Sequence, residues 1–386
     1  MPRNNLRDKA AIIGIGETEY VRKGDMSLEQ LTFQAIERAC EDAGISLRDI
    51  DGIVMCGGGT SPAVTAHDFS RNYGPKSLDF VATAPYGGGT AINMAAGLAT
   101  MALDAGICTN VAVWHALAWG SSNTTPGNAH DINPNKHDFE TPYGWFGQPS
   151  HLAMVARRHM HEYGTTQEQL GAIAVAHRKH AAMNGNAIMT QPITLDDYMA
   201  SRWIAEPFRL LDCCLINDGA GAYIMSTPER AKELKNPPVY FMGLGQAPGH
   251  RTQYWAQDPN ICQTAAVDSA PKAYAMAGVG PKDIDFFQTY DCFTWTVLST
   301  IEDHGFCKKG EGGAFVEGGR IEVGGELPVN THGGMLSQSY LQGMNHVCEA
   351  VRQLRGTAGQ AQVNDAEIGL VGGYAGSTYA SLILHR

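Results

Sequence analysis

A layered α/β fold is predicted for this chain, and three observations predict it. Strand-like apolar runs alternate with helix-like segments along most of the sequence. Glycines punctuate the junctions between them. A nine-residue segment also occurs twice, in the two halves of the chain. With 386 residues, the chain is long enough for two or three packed units of ~100–200 residues each.

Residues 10–15 read as a buried strand, with Gly14 and Gly16 closing it. Ser27 followed three residues later by Gln30 is a capping-box signal. Leu31, Ala35, Ala39 and Ala43 then mark one helix face, and Gly44 stops the helix. Residues 53–55 form the next strand. Gly87-Gly88-Gly89 opens a helix of small residues through Leu103, and residues 111–114 are again strand-like. The repeat joins Ala43-Gly44-Ile45-Ser46-Leu47-Arg48-Asp49-Ile50-Asp51 to Ala277-Gly278-Val279-Gly280-Pro281-Lys282-Asp283-Ile284-Asp285, with five of nine positions identical. In both copies a helix ends at glycine, a turn follows, and Asp-Ile-Asp leads into a strand. Gly87-Gly88 before one helix is echoed by Gly333-Gly334 before another. Two matches in the same order predict two related halves. These are residues 1–230, with a loop and helical insertion over about 116–205, and residues 231–386. The polar stretch 116–147, rich in Asn, Thr, Pro and His, is long enough to serve a pocket or a partner.

The net charge of -11 argues against nonspecific nucleic-acid binding, which needs clustered cations. A local basic patch for an acidic cofactor remains open. The nine cysteines have no zinc-ribbon spacing. The N-terminus does not read as a secretory leader, so a reducing, cytoplasmic setting is expected. The longest helix-like apolar stretch, residues 91–103, is shorter than the ~20 residues a membrane crossing needs. His177 and His180 have HxxH spacing, but Arg178 and Lys179 between them disfavour a metal. Those histidines, with His159 and His161, read as a solvated helix face. No metal is expected. Neither a phosphate-loop lysine nor a dinucleotide fingerprint follows the glycines.

Four strings, in order, resemble the thiolase superfamily. They are Asn217-Asp218-Gly219-Ala220, Tyr290-Asp291-Cys292-Phe293, Asn330-Thr331-His332-Gly333-Gly334 and Gly372-Gly373-Tyr374-Ala375-Gly376. The resemblance covers nearly the whole chain and implies a thiolase fold, with two pseudo-repeated halves in an αβαβα stack. Its departures matter more. The nucleophilic cysteine of thiolases belongs in the stretch Ala82-Thr83-Ala84-Pro85-Tyr86-Gly87-Gly88-Gly89, which has none. Tyr340 stands where the catalytic histidine would be, and Leu370 where the second cysteine would be. Acyl-cysteine chemistry thus lacks its nucleophile, its base and its second acid.

Tyr290 and Tyr340 in these contexts resemble a narrower subgroup, the thiolase-like aldolases of steroid side-chain degradation. Ser201-Arg202-Trp203-Ile204-Ala205-Glu206-Pro207 and Leu210-Leu211-Asp212-Cys213-Cys214 are similar to it too. The resemblance implies retro-aldol cleavage of a β-hydroxyacyl-CoA, a steroid or bile-acid side chain, to a ketone plus propionyl-CoA or acetyl-CoA. It implies a homodimer core, a small partner with an OB fold and a zinc ribbon, and no covalently bound cofactor, the CoA thioester being the substrate. Tyr290 and Tyr340 are then the catalytic acid and base in unassigned order. A phenol titrates near ~10 in water, and a nearby hydrogen-bond donor lowers that value. Backbone amides at Gly88-Gly89 and Gly373-Tyr374 are the expected oxyanion donors.

Other readings stay open. Asp291 orients the Tyr290 loop or caps the following helix. His332 polarises a substrate oxygen or holds its loop through its ring nitrogens. Cys292 is a rival nucleophile for an acyltransferase, or a buried inert thiol. A noncatalytic thiolase homologue that binds acyl-CoA or lipid is the other alternative.

Overall fold

A computed structural model describes residues 5–56, 64–85, 87–122, 138, 141–144, 147–247 and 259–386. In chain order the first half runs β1 (Ala11–Glu17), α1 (Leu28–Ala43), β2 (Gly52–Cys56), α2 (Ala66–Tyr73), β3 (Phe80–Ala84), α3 (Gly88–Asp104) and β4 (Asn110–Ala118). Then come helices α4 (Gly147–Tyr163), α5 (Gln167–Ala182) and α6 (Leu195–Ala200), and a small hairpin of β5 (Trp203–Ala205) and β6 (Phe208–Arg209). Strand β7 (Asp218–Ser226) and the short α7 (Pro228–Ala231) follow. The rest comprises β8 (Val239–Ala247), α8 (Ala266–Ala277), β9 (Phe286–Thr289), α9 (Thr294–Asp303), α10 (Gly312–Phe315), α11 (Met344–Arg355), β10 (Ile368–Ala375) and β11 (Thr378–His385). Most of the stretch 116–147 lies outside the described residues, although β4 carries its start through Ala118.

Nine strands form one sheet in the order β3-β2-β4-β7-β1-β8-β11-β10-β9. The pairs β3-β2, β2-β4 and β10-β9 are parallel. The long strands β4, β7, β1, β8, β11 and β10 pair antiparallel in succession. The two halves meet where β1 pairs β8, Ala11 opposite Tyr240. Helix α3 packs on β2, β3 and β4 of its own half and on β10 and β11 of the other. Helix α11 mirrors it, touching β9 and β10 of its own half and β1 and β7 of the first. These two helices are the central layer, with α1 and α8 on the outer faces.

The sequence repeat is a structural one. Helix α1 ends at Gly44 and α8 at Gly278, both with φ 71° in the left-handed region that favours glycine. A single 3₁₀ turn follows each, Leu47–Asp49 and Pro281–Asp283. Gly14 and Gly16 do not end β1, which runs on through Glu17. They let α1 lie against the strand: a Cβ on Gly14 would fall 2.2 Å from the Ala39 carbonyl oxygen, and one on Gly16 2.2 Å from that of Ala35. The second half repeats the device on β8, where a Cβ on Gly245 would fall 1.8 Å from the Ser269 carbonyl. Gly245→Ala should therefore lower stability by about 1–3 kcal/mol through overpacking, measured by urea unfolding. Gly185→Ala, where nothing lies within 4 Å of a new Cβ, is the control and should change little.

Candidate active site

Tyr290 follows the C-terminal end of β9, and Tyr340 follows a π-type turn, Gly334–Gln338. The two hydroxyls are 2.8 Å apart, within hydrogen-bond distance, although fifty residues separate them in sequence. Their rings meet edge-on, 6.4 Å between centroids at 79°. Both residues are buried. Burial pushes both phenols above their ordinary pKa. The two oxygens are not equivalent. The polar Gln342 side chain, like the Tyr290 bond, pulls the Tyr340 phenol down against the effect of burial. For Tyr290 the neighbouring Tyr340 adds to the upward shift.

Each tyrosine is held by its own set of contacts. Asn217 accepts from the Tyr340 amide at 2.7 Å and donates to Ser339 Oγ at 2.8 Å. Trp119 stacks on the Tyr340 ring, 5.1 Å between centroids at 24°. The Tyr290 amide donates to the Gly372 carbonyl at 3.1 Å, and Thr296 Oγ1 donates to the Tyr290 carbonyl at 3.1 Å. Gln342 has φ 52°, a left-handed conformation in a non-glycine residue two positions beyond Tyr340.

Asp291 joins the two loops. One carboxylate oxygen accepts from the Met335 amide at 2.8 Å and His346 Nε2 at 3.1 Å. The other accepts from the Leu336 amide at 3.2 Å and His177 Nδ1 at 3.0 Å. Burial raises its pKa, but the hydrogen bonds and charges of His177 and His346 outweigh that and leave the carboxyl far below the usual range. Asp291 thus caps the π-type turn that leads to Tyr340. It does not cap the helix that follows it: α9 has Phe293 at its N-cap, and Thr294 donates instead to the buried Asp212. The glycine pair before Tyr340 is needed for this packing. A Cβ on Gly334 would sit 2.0 Å from Asp291 Oδ2, and one on Gly333 2.5 Å from Ala181 Cβ.

His332 lies in the same cluster, its ring 4.9 Å from that of His346. Its Nε2 is 3.4 Å from Asn345 Nδ2, and its buried Nδ1 has no hydrogen-bond partner among the described residues. Burial holds the ring well below the ordinary histidine pKa. Its carbonyl, rather than its ring, carries the clear bond, accepting from Asn184 at 3.1 Å. His159, His177 and His180 are buried, not solvated; only His161 is exposed. His159 binds Thr165 and Glu302, and His180 bridges the Asn330 carbonyl and the Val323 amide. Helices α4 and α5 are covered on the faces that carry them by the second half of the chain.

The expected oxyanion donors converge on the same place. Helix α3 begins at Gly88, and its N-cap, Gly87, supplies no side-chain cap, so its first amides point outward without a capping oxygen. A Cβ on Gly88 would lie 3.3 Å from the Tyr290 hydroxyl and 2.8 Å from the Tyr374 carbonyl. One on Gly89 would lie 2.8 Å from both Tyr290 Cδ2 and Gly373 Cα, and one on Gly373 2.2 Å from the Gly89 carbonyl. The Tyr290 phenol therefore occupies the space beside the start of α3 that any larger residue would take. Gly89→Ala should push the Tyr290 ring aside and reduce turnover more than it reduces stability. Comparing kcat with the urea midpoint tests this.

Residues 247–386 match the family model described as thiolase C-terminal domain-like. The chain is 38% identical over 365 residues to a steroid side-chain-cleaving aldolase of Thermomonospora curvata, with 92% of each chain covered. It is 37% identical to the 17-hydroxy-3-oxo-4-pregnene-20-carboxyl-CoA lyase of Mycobacterium tuberculosis, over 92% of this chain and 93% of that one. The chain belongs to the thiolase superfamily, in its branch of steroid side-chain-cleaving aldolases. Among solved structures, the Ltp2-ChsH2(DUF35) aldolase superposes with a TM-score of 0.92 at 37% identity, covering 99% of each chain.

Asn217, Trp119, Gln342, His177 and His346 complete the site without having been singled out from the sequence as part of it. Asn217 stood inside a family string, but its bond to the Tyr340 amide spans 123 residues, and no local pattern signals it.

Proposed function

We propose that this protein is an aldolase that cleaves the Cα–Cβ bond of a β-hydroxyacyl-CoA by a retro-aldol reaction. The substrate is a steroid or bile-acid side-chain thioester, and the products are a ketone and propionyl-CoA or acetyl-CoA. The observation that carries this reading is the 2.8 Å contact between the Tyr290 and Tyr340 hydroxyls. Two phenols that share a proton can take one from substrate oxygen and return one to carbon, with no covalent intermediate.

Tyr340 is the better base, because the Tyr290 hydroxyl bonds to it and the Gln342 side chain also favours its phenolate. It removes the proton of the β-hydroxyl. The oxygen lone pair forms the ketone carbonyl, the Cα–Cβ bond breaks, and its electrons pass into the thioester enolate. Amides at the start of α3 and beside Gly373 stabilise the enolate oxygen. Tyr290 then protonates Cα and is reprotonated through Tyr340. Asp291 acts by holding the Tyr340 loop. His332, neutral and buried, supports that loop.

The protein works as a homodimer with a small OB-fold and zinc-ribbon partner, in the cytoplasm, with no resident cofactor, the CoA thioester being the substrate. Its two halves divide near residue 230. Among the described residues, no helix is long and apolar enough to cross a membrane.

Incubating the chain and its partner with a side-chain β-hydroxyacyl-CoA should release the ketone, detected by mass spectrometry; binding without ketone would favour a noncatalytic acyl-CoA-binding role. Cys292 is not the nucleophile in this reading. It is buried, and burial and the Asp291 charge raise its thiol pKa. The separation from Cys292 Sγ to Thr296 Oγ1 is 4.0 Å, and a thiol held up in this way is a poor nucleophile at neutral pH. Cys292→Ser should keep cleavage within about threefold of wild type, a loss small against the ~10²–10⁴ that a general base contributes. Acyl transfer through this cysteine predicts the opposite, with a covalent acyl group trapped on incubation with acyl-CoA.

A further inference from the structure

Arg178 is 5% exposed, and its guanidinium has no carboxylate partner among the described residues. Its Nε donates to Ser337 Oγ at 3.0 Å, and its Nη1 donates to the Gln191 carbonyl at 3.1 Å. That leaves Nη2 uncommitted on a group with five donors. Another cation, Arg22, adds its charge against it. Arg22 leans over the same segment, its Nη2 3.0 Å from Met189 Sδ, while the Met189 amide donates to the Ser337 carbonyl at 3.0 Å. Burial and the Arg22 charge both pull the Arg178 pKa below the arginine value. Two like charges, one of them buried and neither paired with a carboxylate among the described residues, make an unfavourable arrangement that an anion relieves.

The position fits a substrate. Ser337 lies in the turn that leads to Tyr340. The Arg22 carbonyl abuts Gly120, next to Trp119, which stacks on Tyr340. A chain of net charge -11 needs local cations wherever it holds a polyanion. We propose that Arg178, with Arg22, is a phosphate-binding subsite for the CoA portion of the thioester. This rests on the reading of the substrate as a CoA ester. A phosphate oxygen suits a planar guanidinium fork, with Arg22 supplying a second, exposed charge.

The test is calorimetric titration of the full chain with coenzyme A, with pyrophosphate and with pantetheine, in parallel with Arg178→Met, Arg178→Lys and Arg22→Ala. Loss of a charge-assisted hydrogen bond predicts about tenfold or more weaker coenzyme A binding in Arg178→Met, with pantetheine binding unchanged. Arg178→Lys should lose less, and Arg22→Ala, an exposed change that should leave folding intact, about threefold, more at low salt. Weak binding of pyrophosphate, also lost in Arg178→Met, would mark the site as one for phosphate as such. Equal coenzyme A affinity in wild type, Arg178→Met and Arg22→Ala would overturn the proposal. So would a parallel loss of pantetheine affinity, which would mean Arg178 only shapes the loop. If Arg178→Met does not fold, Arg178→Lys and Arg22→Ala decide. Binding is read without turnover, so a chain that binds coenzyme A through Arg178 yet releases no ketone would sink the aldolase reading alone.

Discussion

Tyr340→Phe is expected to lower kcat by about 10²–10⁴-fold, the usual contribution of a positioned general base, while leaving KM nearly unchanged. The change removes one oxygen and keeps the ring, so the stack on Trp119 persists. Tyr290→Phe should also reduce kcat strongly, with a distinct pH signature. Burial raises both phenols, so activity should climb toward alkaline pH as the base loses its proton. The Tyr290 hydroxyl is one of the two groups that pull Tyr340 back down. Removing it should move the rising limb of kcat/KM to higher pH. Pre-steady-state cleavage over a pH series measures both effects. If either phenylalanine variant cleaves at near wild-type rate, the proposed roles fail.

How much of this was legible beforehand depends on whether the signal was local. The repeat could be read because each half needs a left-handed residue where α1 and α8 end, and glycine fills it both times. The tyrosine pair could be placed only through the thiolase resemblance, because the 2.8 Å contact joins two loops that the fold brings together. His177 and His180 were misread for a physical reason. Helical spacing shows which residues share a face, and does not show that the loops holding Asn330 and Asp291 will cover it. Arg178 looked like a charge that would repel a metal, but its burial appears only in three dimensions. Gln342 gave no signal, since a left-handed glutamine has no sequence mark. Gly14 and Gly16 were read as strand terminators, because the close approach of α1 that requires them is a tertiary fact.

Asp291→Ala should have the largest effect on stability, about 3–5 kcal/mol, the range for breaking a buried ionic cluster from one side. Four donors converge on the carboxylate; His346 Nε2 would keep the Thr289 carbonyl at 2.6 Å, and the other three would lose this acceptor in the interior. Asp291→Asn keeps the shape but can accept with only one side-chain atom, so it should recover part of the loss. The pH dependence separates charge from shape. The folded carboxyl is held far below the ~4 expected for an unfolded aspartate. A depressed folded pKa contributes stability that is present above the unfolded value and fades as pH falls below it toward the folded value. Wild type should therefore lose stability relative to Asp291→Asn as pH drops below ~4, and the gap between them should narrow. Urea midpoints between pH 7 and the acid limit of folding measure it. A gap that stays constant with pH would mean that the carboxylate acts through packing alone. In that case the link from Asp291 through the π-type turn to Tyr340 would need no charge, and Asp291→Asn should cleave substrate as fast as wild type.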